Sequence, residues 1–472
     1  MAERLLSSAR SRGVVSRGLD DYWTTLASDS QRIYTRTTRL PLSELRDWHA
    51  VPGTEVIRHR NAHFFTVEGV TVTSAAGEWD QPIIVQPEVG LLGIIAREFN
   101  GVLHFLMQNK AEPGNRNGIQ LSPTVQATRS NFTQAHGGDS VPYLHYFLDP
   151  AQADATVLAD VRQSEHGGTF LWKRNRNVII EVFDDVPTAP GFTWLTLGQI
   201  AELMQVDDLA NMDTRSVLAC LPYAGDCRVA PTPIAAEDDS FQAALWRSYH
   251  ADERCSLLPS GIASWITKTR SKHRSQVRPA ALHRLAGWRF GPDRISSVDS
   301  ESFTIVGVSV EACGREVRRW DQPMITVDES GLVALIVRRR DGLLHALVQL
   351  LDEPGNADGA EIAPTVQVGP TTRAGGNTGP RSSLRERVLA AEPADTRYDT
   401  MLSDEGGRFL GVSHRHLVVE CDDVEAPPGF RWVTLHDLGL LIQHTHYLNV
   451  HTRSILACLQ SRLARDPKGG YA

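Results

Sequence analysis

Short strings recur along this chain at a nearly constant offset of 238 to 241 residues, and this self-similarity limits the possible folds more than any other feature of the sequence. Phe65-Thr66-Val67-Glu68-Gly69-Val70 returns as Phe303-Thr304-Ile305-Val306-Gly307-Val308, and Trp79-Asp80-Gln81-Pro82 returns unchanged as Trp320-Asp321-Gln322-Pro323. Glu112-Pro113-Gly114-Asn115 and Pro123-Thr124-Val125-Gln126 come back unchanged, and in the same order, from Glu353 and from Pro364. Near the end of each copy, Pro190-Gly191-Phe192 with Trp194 matches Pro428-Gly429-Phe430 with Trp432, and Thr214 to Cys220 matches Thr452 to Cys458. A chain of 472 residues is too long for one compact core. The repeat therefore predicts two units, residues 1–225 and 240–472, joined through the Pro-, Ala- and Asp-containing stretch 222–240.

Within a unit the pattern is α+β. Alternating apolar residues predict strands near Phe64 to Thr73, Ile83 to Val85, Leu91 to Phe99 and Val102 to Gln108, with a late strand at Val178 to Phe183. Asn100-Gly101 and Asp341-Gly342 predict type I′ hairpin turns, in which both central residues need positive φ. An amphipathic helix is expected around Leu42 to Trp48, and two more at Leu197 to Gln205 and Asn211 to Leu221. Strands followed by helices give mixed or antiparallel sheets with flanking helices rather than a doubly wound parallel sheet.

Several function classes drop out. The formal charge is −8, with 48 basic against 56 acidic side chains and no basic block long enough to track a nucleic-acid backbone. An anionic ligand would need a local basic pocket. No stretch approaches the roughly 20 apolar residues of a membrane span, and the first 20 residues, with four arginines, lack the apolar run of a secretory signal. A cytoplasmic protein is expected, with its cysteines reduced. GxGxxG, GxxxxGK[ST], HExxH and zinc-spaced Cys/His sets are all missing, so a nicotinamide, ATP or zinc enzyme is not expected, and no cofactor or metal is assigned.

The functional case rests on polar residues inside the recurring blocks. In Leu103 to Asn115 the alternation puts His104, Leu106 and Gln108 on one strand face, running toward a Gly turn where side chains reach a ligand. Lys110 in the same block is Leu351 in the second copy, a difference that points to two units doing different jobs. The run Pro123 to Asn131 crowds hydroxyls, amides and Arg129, suited to a diphosphate and sugar hydroxyls, although a solvated loop has the same composition. Gln163-Ser164-Glu165-His166-Gly167-Gly168 sets a carboxylate and an imidazole beside two glycines, and its counterpart is Leu402-Ser403-Asp404-Glu405-Gly406-Gly407. Trp79 is a candidate for stacking on a nucleobase, whereas core packing accounts for Trp48 and Trp288.

Three long strings carry a family resemblance: PEVGLLGIIAREFNGVLHFLMQNKAEPGN from Pro87, LSPTVQATRSNF from Leu121 and RQSEHGGTFLWKRNRN from Arg162. Through them the chain resembles, over almost its whole length, the NDP-hexose 2,3-dehydratases of deoxysugar biosynthesis. His166-Gly167-Gly168 departs from the family's usual Gln-Gly. The resemblance implies tandem Nudix-like units, a homodimer, and metal-free elimination on a dTDP-linked 4-keto-6-deoxyhexose. It also implies a nucleotide-sugar pocket in each unit, one of them catalytic.

For that chemistry the candidates for proton transfer are Glu165 and His166, with Tyr143 and His104 in reserve. Arg129 and Lys110 are expected at the diphosphate, Trp79, Gln108, Thr124, Gln126 and Ser164 at the base and sugar, and Arg162 and Gln163 elsewhere in the substrate site. Thr365, Gln367, Ser403, Asp404 and Glu405 would line the other pocket, and the sequence leaves open which pocket is catalytic. The competing reading is a nucleotide-sugar binding protein that has lost its chemistry.

Overall fold

The computed structural model describes residues 1–13, 15, 18–61, 64–74, 77–128, 140–223, 240–249, 261–272, 275–299, 302–370 and 380–464. Each half builds one large sheet of seven strands and one smaller sheet. In the first half the large sheet runs Ala155–Ser164, Arg174–Val182, Val89–Phe99, Val102–Ala111 and Phe192–Leu195, flanked by the short strands Ile119–Ser122 and Val125–Ala127. Arg174–Val182 lies parallel to Val89–Phe99 while the other pairs are antiparallel, so the sheet is mixed. The second half repeats this order around Gly331–Arg340 and Leu343–Leu351.

Both large sheets are buried on both faces, which explains why their strands read as near-continuous apolar runs. Leu103, Phe105 and Met107 point into a core shared with Val333, Leu335 and Val337 of the second half, and Leu106 points into a separate core with Ile95 and Ile180. The shared core passes through the helices Leu197–Leu203, Met212–Leu218, Phe241–Tyr249, Leu435–Leu441 and Val450–Ser461. Thr196 caps the first of these through a capping box with Gln199, and Asn211, Thr434 and Asn449 cap the equivalent helix starts by accepting from backbone N–H groups. Asn100 and Gly101 have φ of 49° and 82°, and Asp341 and Gly342 have 53° and 75°, as a type I′ turn requires.

The helix expected around Leu42 to Trp48 is not there. A single 3₁₀ turn at Leu42–Glu44 ends before Asp47, whose φ of 68° a right-handed helix does not tolerate, and Trp48 opens the strand Trp48–Ala50. The strand expected at Ile83 to Val85 runs from Gly77, because its polar start pairs Glu78 and Asp80 with Thr73 and Thr71 across the ladder.

The smaller sheets exchange strands. Tyr34–Leu40 of the first half pairs with Thr304–Cys313 of the second, and Gln276–Ala280 of the second pairs with Thr66–Ser74 of the first. The recurring strings hold this exchange in place. Asp80 accepts from Ala286 N at 2.7 Å while its carbonyl accepts from Trp288 Nε1 at 2.8 Å; Asp321 accepts from Arg46 N at 2.9 Å and its carbonyl from Trp48 Nε1 at 2.6 Å. Each Pro-Gly-Asn turn docks on the opposite half's Gly-Gly turn, with Gly114 N on Gly406 O at 2.8 Å and Gly355 N on Gly167 O at 2.7 Å. A Cβ on Gly114 would stand 1.7 Å from Phe409 O, and one on Gly355 1.7 Å from Phe170 O, so no larger residue fits either place. No helix of the described residues is long and apolar enough to cross a membrane.

Candidate functional site

The strand exchange brings both halves to one cavity of about 390 Å³. Trp48, Phe65, Lys110, Glu112, Gln126, Glu165, Lys173 and Asp213 come to it from the first half, and Arg315, Arg319, Trp320, Glu405 and Arg408 from the second. Lys110 is the last polar residue of Val102–Ala111, Asp213 lies in the first turn of Met212–Leu218, and Glu165 follows the strand Ala155–Ser164. Glu405 and Arg408 sit on the Gly-Gly turn that docks against Gly114. Cavity walls made from strand ends and an interlocked turn are preorganised for a ligand.

The cavity mixes cations and carboxylates at close range. Lys110 Nζ donates to Gln126 O at 3.1 Å and lies 4.0 Å from Glu112 Oε1, which also faces Arg315 Nη1 at 3.7 Å. Lys173 Nζ donates to Glu88 O at 2.8 Å, and Arg408 lies over the Phe65 ring at 4.2 Å. Burial depresses Lys110 and Lys173, with the nearby carboxylates pulling the other way. Glu165 Oε1 accepts from Asn175 Nδ2 at 2.6 Å. Burial, together with the charges of Glu165, Glu405 and Glu112, raises Asp213 well above the usual carboxylate range. Burial, then Glu112 and Glu165, pushes Glu405 up to about 7 against the pull of Arg408. Carboxylates crowded in this way hold at least one proton near neutral pH, so the wall offers an acid beside a base. Among the described residues, the buried polar atoms Glu112 Oε2, Arg315 Nε and Arg408 Nε on the lining find no hydrogen-bond partner.

The equivalent place in the second half is filled differently. Glu165, Asp213 and Glu405 correspond by the repeat to Asp404, His451 and His166, so His166 crosses into the second half as Glu405 crosses into the first. His166 Nε2 lies 3.2 Å from Asp404 Oδ1, and Asp404 Oδ2 accepts from His414 Nε2 at 2.9 Å. Burial opposes a charge on His166, but Asp404 and Glu165 overrule it and raise the imidazole to about 10. Where the open cavity has Lys110, this place has Leu351.

Of the residues singled out in the sequence, the structure brings Lys110, Gln126, Glu165 and Glu405 to the cavity. Gln126 Nε2 donates to Glu112 Oε1 at 3.1 Å, and Gln367 repeats this with Glu353 in the second half. His166 and Asp404 pair with each other away from the cavity. His104 packs edge-on against Phe99, and Tyr143 bridges Pro187 O and Ala189 N at 2.7 Å each, both outside it. Thr124 and Thr365 tie strands together, each donating to the carbonyl of Leu106 or Leu347 and accepting from Ile95 N or Ile336 N. Gln163 donates to Ile442 O at 2.8 Å, Ser164 to Glu361 Oε2 at 2.6 Å, and Ser403 accepts from Gln120 at 2.9 Å, all contacts between the halves. Arg162 is exposed on the far strand, and Gln108 borders a neighbouring cleft that shares Lys110 and Arg315 with the cavity. Trp79 packs with Val70, Val72 and Ile83, whereas its repeat partner Trp320 lines the cavity, as does Trp48 in addition to its packing role. Arg129 lies outside the described residues.

Sequence reasoning missed Lys173, Asp213, Arg315, Trp320 and Arg408. For three of them the signal was present: Lys173, Asp213 and Arg408 align with Val412, His451 and Thr169, the same change of charge that singled out Lys110.

Two stretches of the chain, residues 19–221 and 260–459, each match the family model described as NDP-hexose 2,3-dehydratase. The chain is 41% identical over 478 residues, covering 99% of this chain and 96% of the relative, to a dTDP-4-dehydro-6-deoxy-alpha-D-glucopyranose 2,3-dehydratase of Amycolatopsis orientalis. Relatives of the same description from Saccharopolyspora spinosa and Streptomyces violaceoruber are 43% and 39% identical, over 90% of this chain and 88% and 93% of their own lengths.

Proposed function

The chain belongs to the NDP-hexose 2,3-dehydratase family, and from that membership and the half-shared cavity we propose that it removes the C2 hydroxyl of dTDP-4-keto-6-deoxy-D-glucose. The observation that carries the reading is the group of carboxylates Glu165, Asp213 and Glu405 on one cavity wall, two of them pushed toward the protonated form, facing the buried Lys110.

The C4 ketone acidifies the C3 proton. In this reading Glu165, steadied by Asn175, takes that proton, and the cavity-lining cations Lys110 and Lys173 neutralise the enolate oxygen. The C2 hydroxyl lies β to the enolate. It leaves as water after receiving a proton from Glu405 or Asp213, and the resulting enol relaxes to dTDP-3,4-diketo-2,6-dideoxy-D-glucose. Proton gain and loss balance, and no electrons are exchanged with a cofactor. Arg315 and Arg319 at the rim suit the diphosphate, and Trp320 offers a face to the base. In this reading the open cavity is the catalytic one. The units 1–225 and 240–472 are two repeats that each need the other's turn to complete a pocket.

Mass spectrometry of the nucleotide sugar after incubation is the test. Loss of one water supports the reading, whereas binding without conversion would favour a nucleotide-sugar binding protein. The mixed sheets with flanking helices are compatible with Nudix-like units. The family resemblance is what supports a homodimer working in the cytoplasm of a deoxysugar-producing, antibiotic-forming cell; sedimentation of the purified chain tests the first.

A further inference from the structure

The second half buries a set of groups that this chemistry does not use. One ligand atom each from His166, Asp404 and His451 lie within 4.8 Å of one another, and all three residues are buried. They come from three separate elements: the Gly-Gly turn of the first half, the end of Thr396–Ser403, and the first turn of Val450–Ser461. His166 is only 3% exposed, yet among the described residues neither of its ring nitrogens has a hydrogen-bond partner. Its Nε2 stands 3.2 Å from Asp404 Oδ1 and its Nδ1 3.8 Å from Glu165 Oε2, an ion pair in which a metal ion would take the place of the ring proton.

We propose that His166, Asp404 and His451 bind one divalent transition-metal ion that ties the first half's turn to the second half's core. Two imidazoles and a carboxylate form a ligand set that zinc and related ions accept, with a further position for water. His414 acts as the supporting group. Its Nδ1 accepts from Gly331 N at 3.1 Å, which places its proton on Nε2, and that proton is donated to Asp404 Oδ2 at 2.9 Å. This leaves Asp404 Oδ1 oriented toward His166. Tetrahedral zinc sets its ligand atoms about 3.3 Å apart, so the pairs within 4.8 Å must close by up to about 1.5 Å. The same positions in the open cavity hold three carboxylates facing Lys110 and Arg408 instead, a set balanced by cations already present.

The test uses the full chain, stripped with a chelator and then supplied with Zn²⁺ or Co²⁺. Elemental analysis after gel filtration is expected to find about one ion per chain. Co²⁺ should show visible d–d absorption, and Zn²⁺ should raise the unfolding temperature, as binding to the folded state alone does. His166→Gln should abolish the Co²⁺ absorption and the thermal shift, and His414→Gln should weaken binding about 10- to 100-fold. Should His166→Gln fail to fold, His451→Gln takes its place. A wild-type chain that retains no ion, or a His166→Gln chain that binds Co²⁺ with unchanged spectrum and affinity, overturns the proposal.

Discussion

Replacing Glu405 with Gln tests the electrostatics of the cavity directly. The Glu405 carboxyl is pushed up from 4.5 to about 7 by burial and by Glu112 and Glu165. Between those values the folded chain holds a proton that the unfolded chain has released, so the associated stability is fully present below 4.5 and is lost as pH rises through about 7. A gap of about 2.5 units at 1.36 kcal/mol per unit is about 3 kcal/mol, a ceiling because the side chain borders the cavity and solvent screens part of the effect. Gln stays neutral and escapes this loss. Glu353 and Glu361, also raised to about 7, titrate in both proteins and cancel in the comparison, whereas Asp213, which Glu405 helps to raise, titrates with it as a pair, so the divergence belongs to both carboxyls. With about 2.1 cal/mol/K per residue the unfolding entropy is about 1 kcal/mol/K, so 3 kcal/mol is about 3 °C. Melting temperatures of the two proteins from about pH 5 to about pH 8.5 should therefore diverge by up to about 3 °C in favour of Glu405→Gln. A difference that stays constant, or shrinks as pH rises, would refute the argument that Glu405 is protonated at neutral pH.

Other expectations follow from the same geometry. Glu165→Gln should lower kcat by about 10²-fold or more with KM nearly unchanged, in steady-state assays of the 4-keto sugar; normal turnover would remove Glu165 as the base. Asp404→Asn should affect turnover unequally to Glu165→Gln, and equal losses of about half the activity from each would mean two independent catalytic centres. Lys110→Leu, which copies the second half, should chiefly raise KM and the dissociation constant for the nucleotide sugar measured by calorimetry. Gly355→Ala puts a Cβ 1.7 Å from Phe170 O and should lower the melting temperature by several degrees, or leave the chain insoluble; an unchanged melting temperature would mean the interlock yields freely.

The repeat, the hairpin turns and the terminal helices were legible because they depend on local rules: an apolar period, and positive φ at Asn-Gly and Asp-Gly. The exchange of Tyr34–Leu40 and Gln276–Ala280 was not legible, since both strands would have satisfied the same pattern within their own half. The site was partly legible for the same reason. Glu165 and Lys110 lie on the half that forms most of the cavity, but Trp320, Glu405 and Arg408 reach it from about 240 residues away in sequence. A polar run beside a Gly turn signals that the backbone comes close to something; in Ser164 and Gln163 that something is the other half, not a ligand.

Comparison of the two copies with each other separates these roles. Trp-Asp-Gln-Pro, Glu-Pro-Gly-Asn and the Thr-Arg-Ser helix start agree between copies, and each sits at a contact across the halves: Asp80 on Ala286, Gly114 on Gly406, Arg215 on Ser454. Such a contact is made twice with the partners reversed, so a change in one copy breaks one contact without relieving the other. The pocket positions carry no such symmetry requirement. Glu405 belongs to the second copy but faces the first copy's cavity, and His166 does the reverse, so each copy supplies a titratable side chain to the opposite half. One half could then gather Lys110, Lys173, Glu165, Asp213 and Glu405 around a cavity while the other packed His166, Asp404, His414 and His451 together, with the fold of both unchanged.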